Sequence, residues 1–439
     1  MASRMRNSFC AGVCLLALGA ATTGGAQATE GYFVEGVSAR DQALGGAGIA
    51  NPADALTTAN NPAGLVDVGH QLNADVSMFN PSREYNASMG PGFVAPGTVS
   101  SYRDIFAIPA LGYSLPLSAD QAIGVSMNGN GGMNTTYPGN TPNPNCARMG
   151  SPMQGVFCGG KAGVDLNQAL ISIGYAQRFG NLSLGIAPTL VTQLFSAYGL
   201  RAFSGVSANP SDLTDRSVAW SFGAGVRAGA LYHVNEQFSV AIDGSTPIWA
   251  TGFTQYSGLF AQGGHFNVPA TIGAGLSYKI LPTLAVMLDW KDIFYSGVKS
   301  IANQMTAPYP LGSTNGPGFG WRDVNVVALG VEWKYSDAVT LRAGYAYNTQ
   351  PITSNNVTFN ILAPGVVQNH ITGGFTYNMN RNSGIDFAIV YAPRTSVSGP
   401  EITPQGPTGR NITISMSQLE LTLGYTYHFD TPAIVIAKY

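Results

Sequence analysis

From about residue 70 onward, apolar side chains recur at every second position of the chain. The run LELTLGYTYHF at 419–429 carries Leu, Tyr and Phe on one parity and Glu, Thr, Gly and His on the other. TLAVMLDWKD at 283–292 alternates in the same way and places Asp289 and Lys291 on its polar parity. A period of two is typical of β-strands with one apolar face. Counting such segments predicts an all-β fold of about fourteen strands.

Long and short connections alternate between these segments. The long ones are rich in Gly, Pro and Asn and are predicted at 82–102, 131–163, 197–215, 251–266, 297–321, 350–368 and 395–411. An antiparallel meander with long loops at one rim and tight turns at the other is the layout of an outer-membrane barrel. We therefore expect a transmembrane antiparallel β-barrel of about 14 strands at 70–430, followed by a C-terminal extension at 431–439.

The charge content supports a surface that faces lipid. Charged residues make up 10% of the chain, whereas ~25% is usual for soluble domains. A soluble all-β sandwich or repeat array is the alternative, but it explains neither the few charges nor the alternation of loop lengths. By strand parity the charges that remain face the lumen. We expect them either to neutralise one another or to pair with something packed inside.

The first residues have the pattern of an export signal. Arg4 and Arg6 precede an apolar run at 9–20, and Ala26-Gln27-Ala28 fits a cleavage site for the signal peptidase. Residues 1–28 are therefore predicted to be a signal peptide. No later apolar stretch approaches the ~20 residues that a membrane-spanning helix needs. Export and a barrel together predict the cell outer membrane.

Residues 29–69 form the one sizeable part of the predicted mature chain that does not alternate. Asn51 is a candidate helix N-cap with Pro52 at the first helical position, and Asn61 and Pro62 repeat the signal. A barrel of about fourteen strands is too wide for its own side chains to fill. We therefore predict that 29–69 is a small helical hatch (plug) inside the lumen.

The stretch EGYFVEGVSARDQALGGAGIANPADALTTANNPAGL at 30–65 resembles the N-terminal hatch of the FadL/TodX family of outer-membrane transporters of long-chain fatty acids and hydrocarbons. The family's Asn-Pro-Ala hatch motif corresponds here to Asn61, Pro62 and Ala63. The resemblance implies passive uptake of hydrophobic compounds through a plugged barrel, with lateral release at a kinked third strand.

The third predicted strand begins AIGVSMNGNGGM at 122–133. Gly129, Asn130, Gly131 and Gly132 fall where its ladder should continue, and Gly-rich strand interiors mark bulges or bends. We predict a lateral portal there; the alternative is that these residues begin the loop at 131–163. The hatch residues Tyr32, Phe33 and Val34 are predicted to line an inner ligand pocket.

Cys146 and Cys158 lie in one Pro/Gly-rich stretch and are predicted to form a loop-stapling disulfide in an oxidising compartment. Two thiols without a nearby His make a poor zinc site. The five His are scattered, and no G-x-S-x-G, HExxH or P-loop motif is present. We expect no catalytic residues, no metal and no cofactor, and the lack of a basic patch predicts no nucleic-acid partner.

The expected partners are hydrophobic small molecules, the lipid bilayer, lipopolysaccharide and the outer-membrane barrel assembly machinery, with the protein as a monomer. A porin for small polar solutes is the alternative function. An outer-membrane enzyme is a further competitor, and an adhesin or phage receptor that uses the long loops could coexist with transport. A substrate carboxylate would need a cation, for which Arg103, Arg201 and Lys161 are candidates.

Overall fold

The computed structural model describes residues 30–148, 150–403 and 406–430, so the predicted signal peptide (1–28) and extension (431–439) lie outside the described residues. The strands of the described residues belong to one antiparallel sheet. In chain order the strands are β1 Gln71–Ala87, β2 Gly97–Ser100, β3 Phe106–Pro116, β4 Gln121–Tyr137, β5 Ala162–Phe179, β6 Leu182–Tyr198, β7 Ala219–His233, β8 Phe238–Ser245, β9 Trp249–Ala250, β10 Thr271–Leu281, β11 Leu284–Ile293, β12 Val324–Lys334, β13 Val339–Asn348, β14 Asn369–Asn378, β15 Ser383–Thr403 and β16 Gly406–His428.

The sheet closes into a barrel because β16 pairs with β1 along the whole of β1, from Gln71 opposite His428 to Ala87 opposite Ile412. Fourteen strands form the wall, which confirms the predicted fold. The two remaining strands are short additions, β2 beside β1 and β9 beside β7. Closure joins the first and last strands of the wall, which removes the two end edges that an open sheet would expose to the membrane.

The helices among the described residues are short, and none is long and apolar enough to cross a membrane. The α-helices are Ala39–Ala43, Leu65–Val68, Asn145–Arg148, Ala261–Gly264, Lys299–Ala302 and Val357–Asn360. The 3₁₀ helices are Ala55–Ala59, Pro62–Gly64, Arg201–Val206, Pro210–Asp212, Thr254–Tyr256, Tyr295–Gly297 and Ser354–Asn356.

The last hairpin corrects one prediction. A loop was expected at 395–411, but β15 continues to Thr403 and β16 begins at Gly406. Pro400 and its neighbours favoured a loop in the sequence, yet the ladder absorbs them through register shifts between Ala392 and Thr395 and between Pro400 and Ile402. Proline is tolerated in a sheet at such bulges.

The hatch helices begin partly where they were predicted. Asn61 is an N-cap, since its side chain accepts a hydrogen bond from the Ala63 amide, and Pro62 occupies the first helical position. The prediction at Asn51 and Pro52 was wrong. The helix Ala55–Ala59 starts three residues later, because the Asp54 side chain caps the Leu56 amide.

The hatch lies inside the barrel against glycines of the wall. At ten wall positions a Cβ atom would come to 3.0 Å or less from a hatch atom, so a side chain there would force the hatch to shift. These are Gly112, Gly124, Gly174, Gly185, Gly229, Gly273, Gly275, Gly330, Gly344 and Gly374. The small residues that allow close packing are therefore found in the wall as well as in the hatch.

Gly344 provides a test of this close packing. A Cβ at Gly344 would lie 2.2 Å from the Leu44 carbonyl carbon of the hatch, whereas one at Gly373 on the next strand would meet only the Arg342 carbonyl oxygen, at 3.6 Å. We expect Gly344→Val to displace the hatch and raise ion conductance in planar bilayers, and Gly373→Val to leave conductance low. An unchanged conductance in a correctly folded Gly344→Val barrel would contradict this packing.

Candidate functional site

The wall opens between β3 and β4. Their ladder reaches only to Ala110, which lies opposite Asn128. Beyond that pair, Phe106–Pro109 of β3 stay paired with β1. Toward the long-loop rim, β4 is paired with β5 but no longer with β3. The chain closes the break near the long-loop rim, where the Tyr102 amide donates to the Thr136 carbonyl at 3.0 Å. We call this interruption, between 106–109 and 129–135, the wall gap.

A bulge in β4 accompanies the wall gap. Gly129 pairs with Ala169 and Gly131 with Gln168, so Asn130 is an extra residue in the ladder. Gly131 has φ +128°, a conformation that glycine adopts far more readily than other residues. The four residues of the predicted portal therefore all lie in β4 beside the wall gap. The alternative, that they begin a loop, is wrong because β4 continues to Tyr137.

The first described residues of the hatch, 30–34, lie on the inner side of this bulge; we call them the hatch tip. Phe33 forms an antiparallel bridge with Gly131, and the Val34 amide donates to the Asn130 carbonyl at 3.2 Å. Buried backbone groups need hydrogen-bond partners. The hatch tip thus supplies to β4 the pairing that β3 no longer provides.

Aromatic side chains of the long loops cover the hatch tip. Tyr32 is fully buried, and its amide donates to the Tyr295 hydroxyl at 3.1 Å. The Tyr32 ring centroid lies 5.3–6.1 Å from those of Phe33, Tyr295, Phe266 and Trp321. Aromatic pairs at such separations stabilise each other beyond their buried area. The hatch tip is therefore held between the loops and the wall gap.

A cavity of about 80 Å³ lies beside the hatch tip and is lined by both apolar and charged groups. Phe33 and Val34 contribute to its apolar part, but Tyr32 does not reach it. Its charged part includes Glu30, Glu35 and Lys291. Among the three predicted ligand residues, the structure thus brings only Phe33 and Val34 to this cavity.

A second cavity, of about 30 Å³, lies among the long loops and is almost entirely apolar. The loops that meet here are remote from one another in sequence, so the sequence alone does not show which of their side chains form the cleft. The side chains that meet there include Phe203, Phe260, Phe319, Phe359, Leu259 and Leu362. An apolar cleft above the hatch tip and a wall gap beside it are the features expected for a greasy ligand.

The Asn-Pro-Ala motif fastens the lower part of the hatch. Besides capping its own helix, the Asn61 amide group donates to the Ile49 carbonyl at 3.0 Å and to the Ala230 carbonyl of β7 at 3.4 Å. Gly229 makes room for this side chain, because a Cβ there would lie 2.1 Å from its oxygen. The motif therefore joins two hatch segments to the wall.

Both expectations for the lumen charges hold, because some pair with one another, as Arg227 does with Asp243, and others pair with the hatch. Arg40 of the hatch lies 2.9 Å from Asp386 of the wall, and Lys291 of the wall lies 2.5 Å from Glu30. Wall carboxylates also accept hatch amides, as Asp289 does from Ile49 at 2.8 Å. Buried charges without such partners would be costly.

Glu35 of the hatch is a buried acid whose two carboxylate oxygens have no hydrogen-bond partner among the residues that the structure describes. Burial raises the pKa of Glu35 well above its ordinary value, and the nearby Glu30 and Glu420 carboxylates raise it further.

Within the same described ranges, no group of three His, Cys, Asp or Glu side chains is arranged to hold a metal ion. Cys146 and Cys158 form a disulfide in the long loop, with Cα atoms 5.2 Å apart.

A closed antiparallel barrel with an internal hatch defines a class of outer-membrane proteins. Residues 18–429 match the family model described as outer membrane protein transport protein (OMPP1/FadL/TodX). The chain belongs to this family of transport proteins and is an outer-membrane protein.

Similar proteins include the long-chain fatty acid transport protein of Salmonella typhi, 26% identical over 200 residues, and a 47 kDa outer membrane protein of Pasteurella multocida, 25% identical over 183 residues. These alignments span 40% of this chain and 44% and 41% of the two relatives. The structure of the P. putida toluene transporter TodX matches with TM-score 0.66 and 19% identity, over 91% of this chain and all of that one. A Pseudomonas aeruginosa FadL homologue matches with TM-score 0.66 and 16% identity over the same shares. At these identities, the structural matches bear on the fold.

Glu35 yields a pH-dependent prediction. Because its pKa is raised in the folded protein, the hatch favours the neutral acid, and stability is lost as the pH rises from the ordinary 4.5 toward the raised value. Glu35→Gln keeps the shape without the charge. We expect it to melt at the same temperature as the wild type near pH 4 and at a higher temperature at pH 8. The control is Glu236→Gln in an exposed turn; a pH-independent difference at Glu35 would contradict the account.

Proposed function

We propose that this protein mediates the passive uptake of hydrophobic compounds, long-chain fatty acids or hydrocarbons, across the outer membrane, with lateral release through the wall gap. The observation that carries the proposal is the hatch tip bridged to Gly131, at the place where β3 leaves β4. A molecule that displaces this contact would find the side of the barrel open. The lower lumen would remain filled by the rest of the hatch.

The proposed route has three stages. A ligand first enters the apolar cleft among the long loops, where Phe203, Phe260 and Phe319 meet. It then reaches the hatch tip, where Tyr32, Phe33 and Val34 are the proposed contacts. Finally it leaves between Phe106–Pro109 and the portal residues Gly129, Asn130, Gly131 and Gly132.

Lateral exit suits a hydrophobic substrate. Each buried CH₂ group contributes roughly 0.8 kcal/mol, so an alkyl chain partitions into the bilayer without energy coupling once the wall gap opens. The polar head groups outside are the barrier that the long loops would bypass. A porin for polar solutes is less well supported, because the hatch lies in the lumen and pairs with its charges.

The proposal includes the remaining features of the chain. Residues 1–28 would direct export, 29–69 would act as the hatch anchored by Asn61, Pro62 and Ala63, and 70–430 would form the barrel. We propose a monomer that is inserted by the outer-membrane barrel assembly machinery and whose loops contact lipopolysaccharide. We also propose that transport involves no enzymatic step.

A reversible cross-link tests the exit route. A Cβ at Gly129 would lie 2.8 Å from Cγ2 of Ile108 across the wall gap, which is within reach of a disulfide. We expect oxidised Ile108→Cys/Gly129→Cys protein to lose most of its uptake of radiolabelled palmitate or hexadecane, and a reductant to restore it. The control is Ala110→Cys/Asn128→Cys, which links a pair already joined in the ladder. Undiminished uptake through the oxidised, folded variant would rule out lateral exit here.

A further inference from the structure

Arg83 spans the wall gap on its lumen side. It lies on β1, four residues after Phe79, and its side chain points into the lumen as that of Phe79 does. The residue is buried, with 6% of its surface exposed. One terminal nitrogen donates to the Asn134 carbonyl of β4, and the other donates to the Arg103 carbonyl in the segment that precedes β3. The guanidinium therefore reaches from β1 toward β4 where β3 has left.

Arg83 differs from the other buried arginines in its lack of an acidic partner. Arg342 lies 2.7 Å from Glu332, and Arg410 lies 3.6 Å from Glu401. No carboxylate in the described part of the chain forms an ion pair with Arg83. Its hydrogen bonds go to neutral carbonyl oxygens, and its Nε has no partner in the described ranges. Two of the five N–H groups of this guanidinium make those two bonds, which leaves three for another acceptor.

The surroundings of Arg83 are mainly apolar, apart from Asn134 and Thr135. The small pocket that it lines also contains Phe79, Met133, Trp321 and Met416, together with Gly31 of the hatch tip. Its guanidinium carbon lies 5.5 Å from the centre of the Phe106 ring. A buried charge without a counter-charge is costly. Asp104 attracts the guanidinium from its exposed segment but forms no ion pair with it. The arrangement can therefore accept a further anion.

A second arginine stands on the outer side of the same ring. The guanidinium carbon of Arg103 lies 5.6 Å from the Phe106 centre, its side chain is 40% exposed, and it pairs with Asp165. Asp104 lies in the exposed segment beside it. Cations therefore flank the wall gap on both sides, but only the inner one is without a carboxylate.

We propose that Arg83 binds the carboxylate of the transported molecule at the wall gap, so that the substrates of this route are long-chain carboxylic acids in preference to neutral hydrocarbons. The inference rests on the proposed function. Arginine suits this role because its planar fork matches a carboxylate and keeps its charge at every physiological pH. The apolar lining beside it would receive the first carbons of the chain.

The test compares two molecules with the same alkyl chain. Full-length protein is expressed in a host that lacks its own fatty acid transporter, and uptake of radiolabelled palmitate and 1-hexadecanol is measured at pH 7.5. We expect Arg83→Met to lower palmitate uptake about tenfold or more, as loss of a charge-assisted hydrogen bond predicts, and to change hexadecanol uptake less than about twofold. Arg381→Met, in an exposed turn, is the matched control.

The outcomes separate the inference from the function on which it rests. An equal loss of palmitate and hexadecanol uptake, or no loss of either, would overturn the role of Arg83. Wild-type protein that transports neither molecule would overturn the proposed function. In that case, palmitate binding to the purified protein, compared between wild type and Arg83→Met, still decides whether Arg83 recognises the carboxylate.

Two further measurements guard against misfolding and against a different anion. Arg83→Lys keeps the charge but not the fork and should retain an intermediate preference for palmitate, so it replaces Arg83→Met if the latter fails to fold by heat-dependent gel mobility. Hexadecyl phosphate is the third arm of the uptake assay. A preference for it over palmitate that is lost in Arg83→Met would assign the residue to phosphate groups and overturn the carboxylate proposal.

Discussion

A strand in a membrane cannot leave its backbone groups unpaired, because the hydrocarbon offers them no hydrogen-bond partner. Above Asn128, β4 loses its neighbour β3, and the hatch tip takes over with a bridge from Phe33 to Gly131 and a hydrogen bond from Val34 to Asn130. The backbone pairing of the wall therefore depends on the position of the hatch. Whatever moves the hatch tip also changes the pairing of the wall.

The rest of the hatch is held by contacts that leave little freedom. Wall glycines allow the two backbones to approach closely, and pairs such as Arg40 with Asp386 fix the hatch laterally. Below the tip the hatch packs against the wall, and the Asn61 side chain joins it to β7. A cavity of about 640 Å³ remains at the short-turn mouth. A molecule that enters from the long loops thus meets resistance below and a poorly paired wall at its side. This asymmetry is the physical basis of the proposed lateral release.

The alternation of apolar residues and of loop lengths was enough to predict the barrel and its short turns. The width of a barrel of about fourteen strands and the resemblance at 30–65 predicted the internal hatch. Local turn chemistry was less informative. Pro400 suggested a loop where bulges let the strands continue, and Asn51 suggested a cap that Asp54 provides. The glycines beside the wall gap were recognised from the sequence, but Arg83 was not. Its isolation from acids depends on neighbours from β4, the loops and the hatch, which are remote in sequence.

The central claim is that greasy molecules cross the side of the barrel and not its lower mouth. Photo-cross-linking with a diazirine fatty acid in outer-membrane vesicles, followed by peptide mapping, tests it most directly. Lateral exit predicts labelling of Phe106–Pro109 and of 129–133, on the two sides of the wall gap. Labelling concentrated at the short-turn mouth, around Asn51, Asn181 and Lys279, would show passage through the barrel axis and contradict the account.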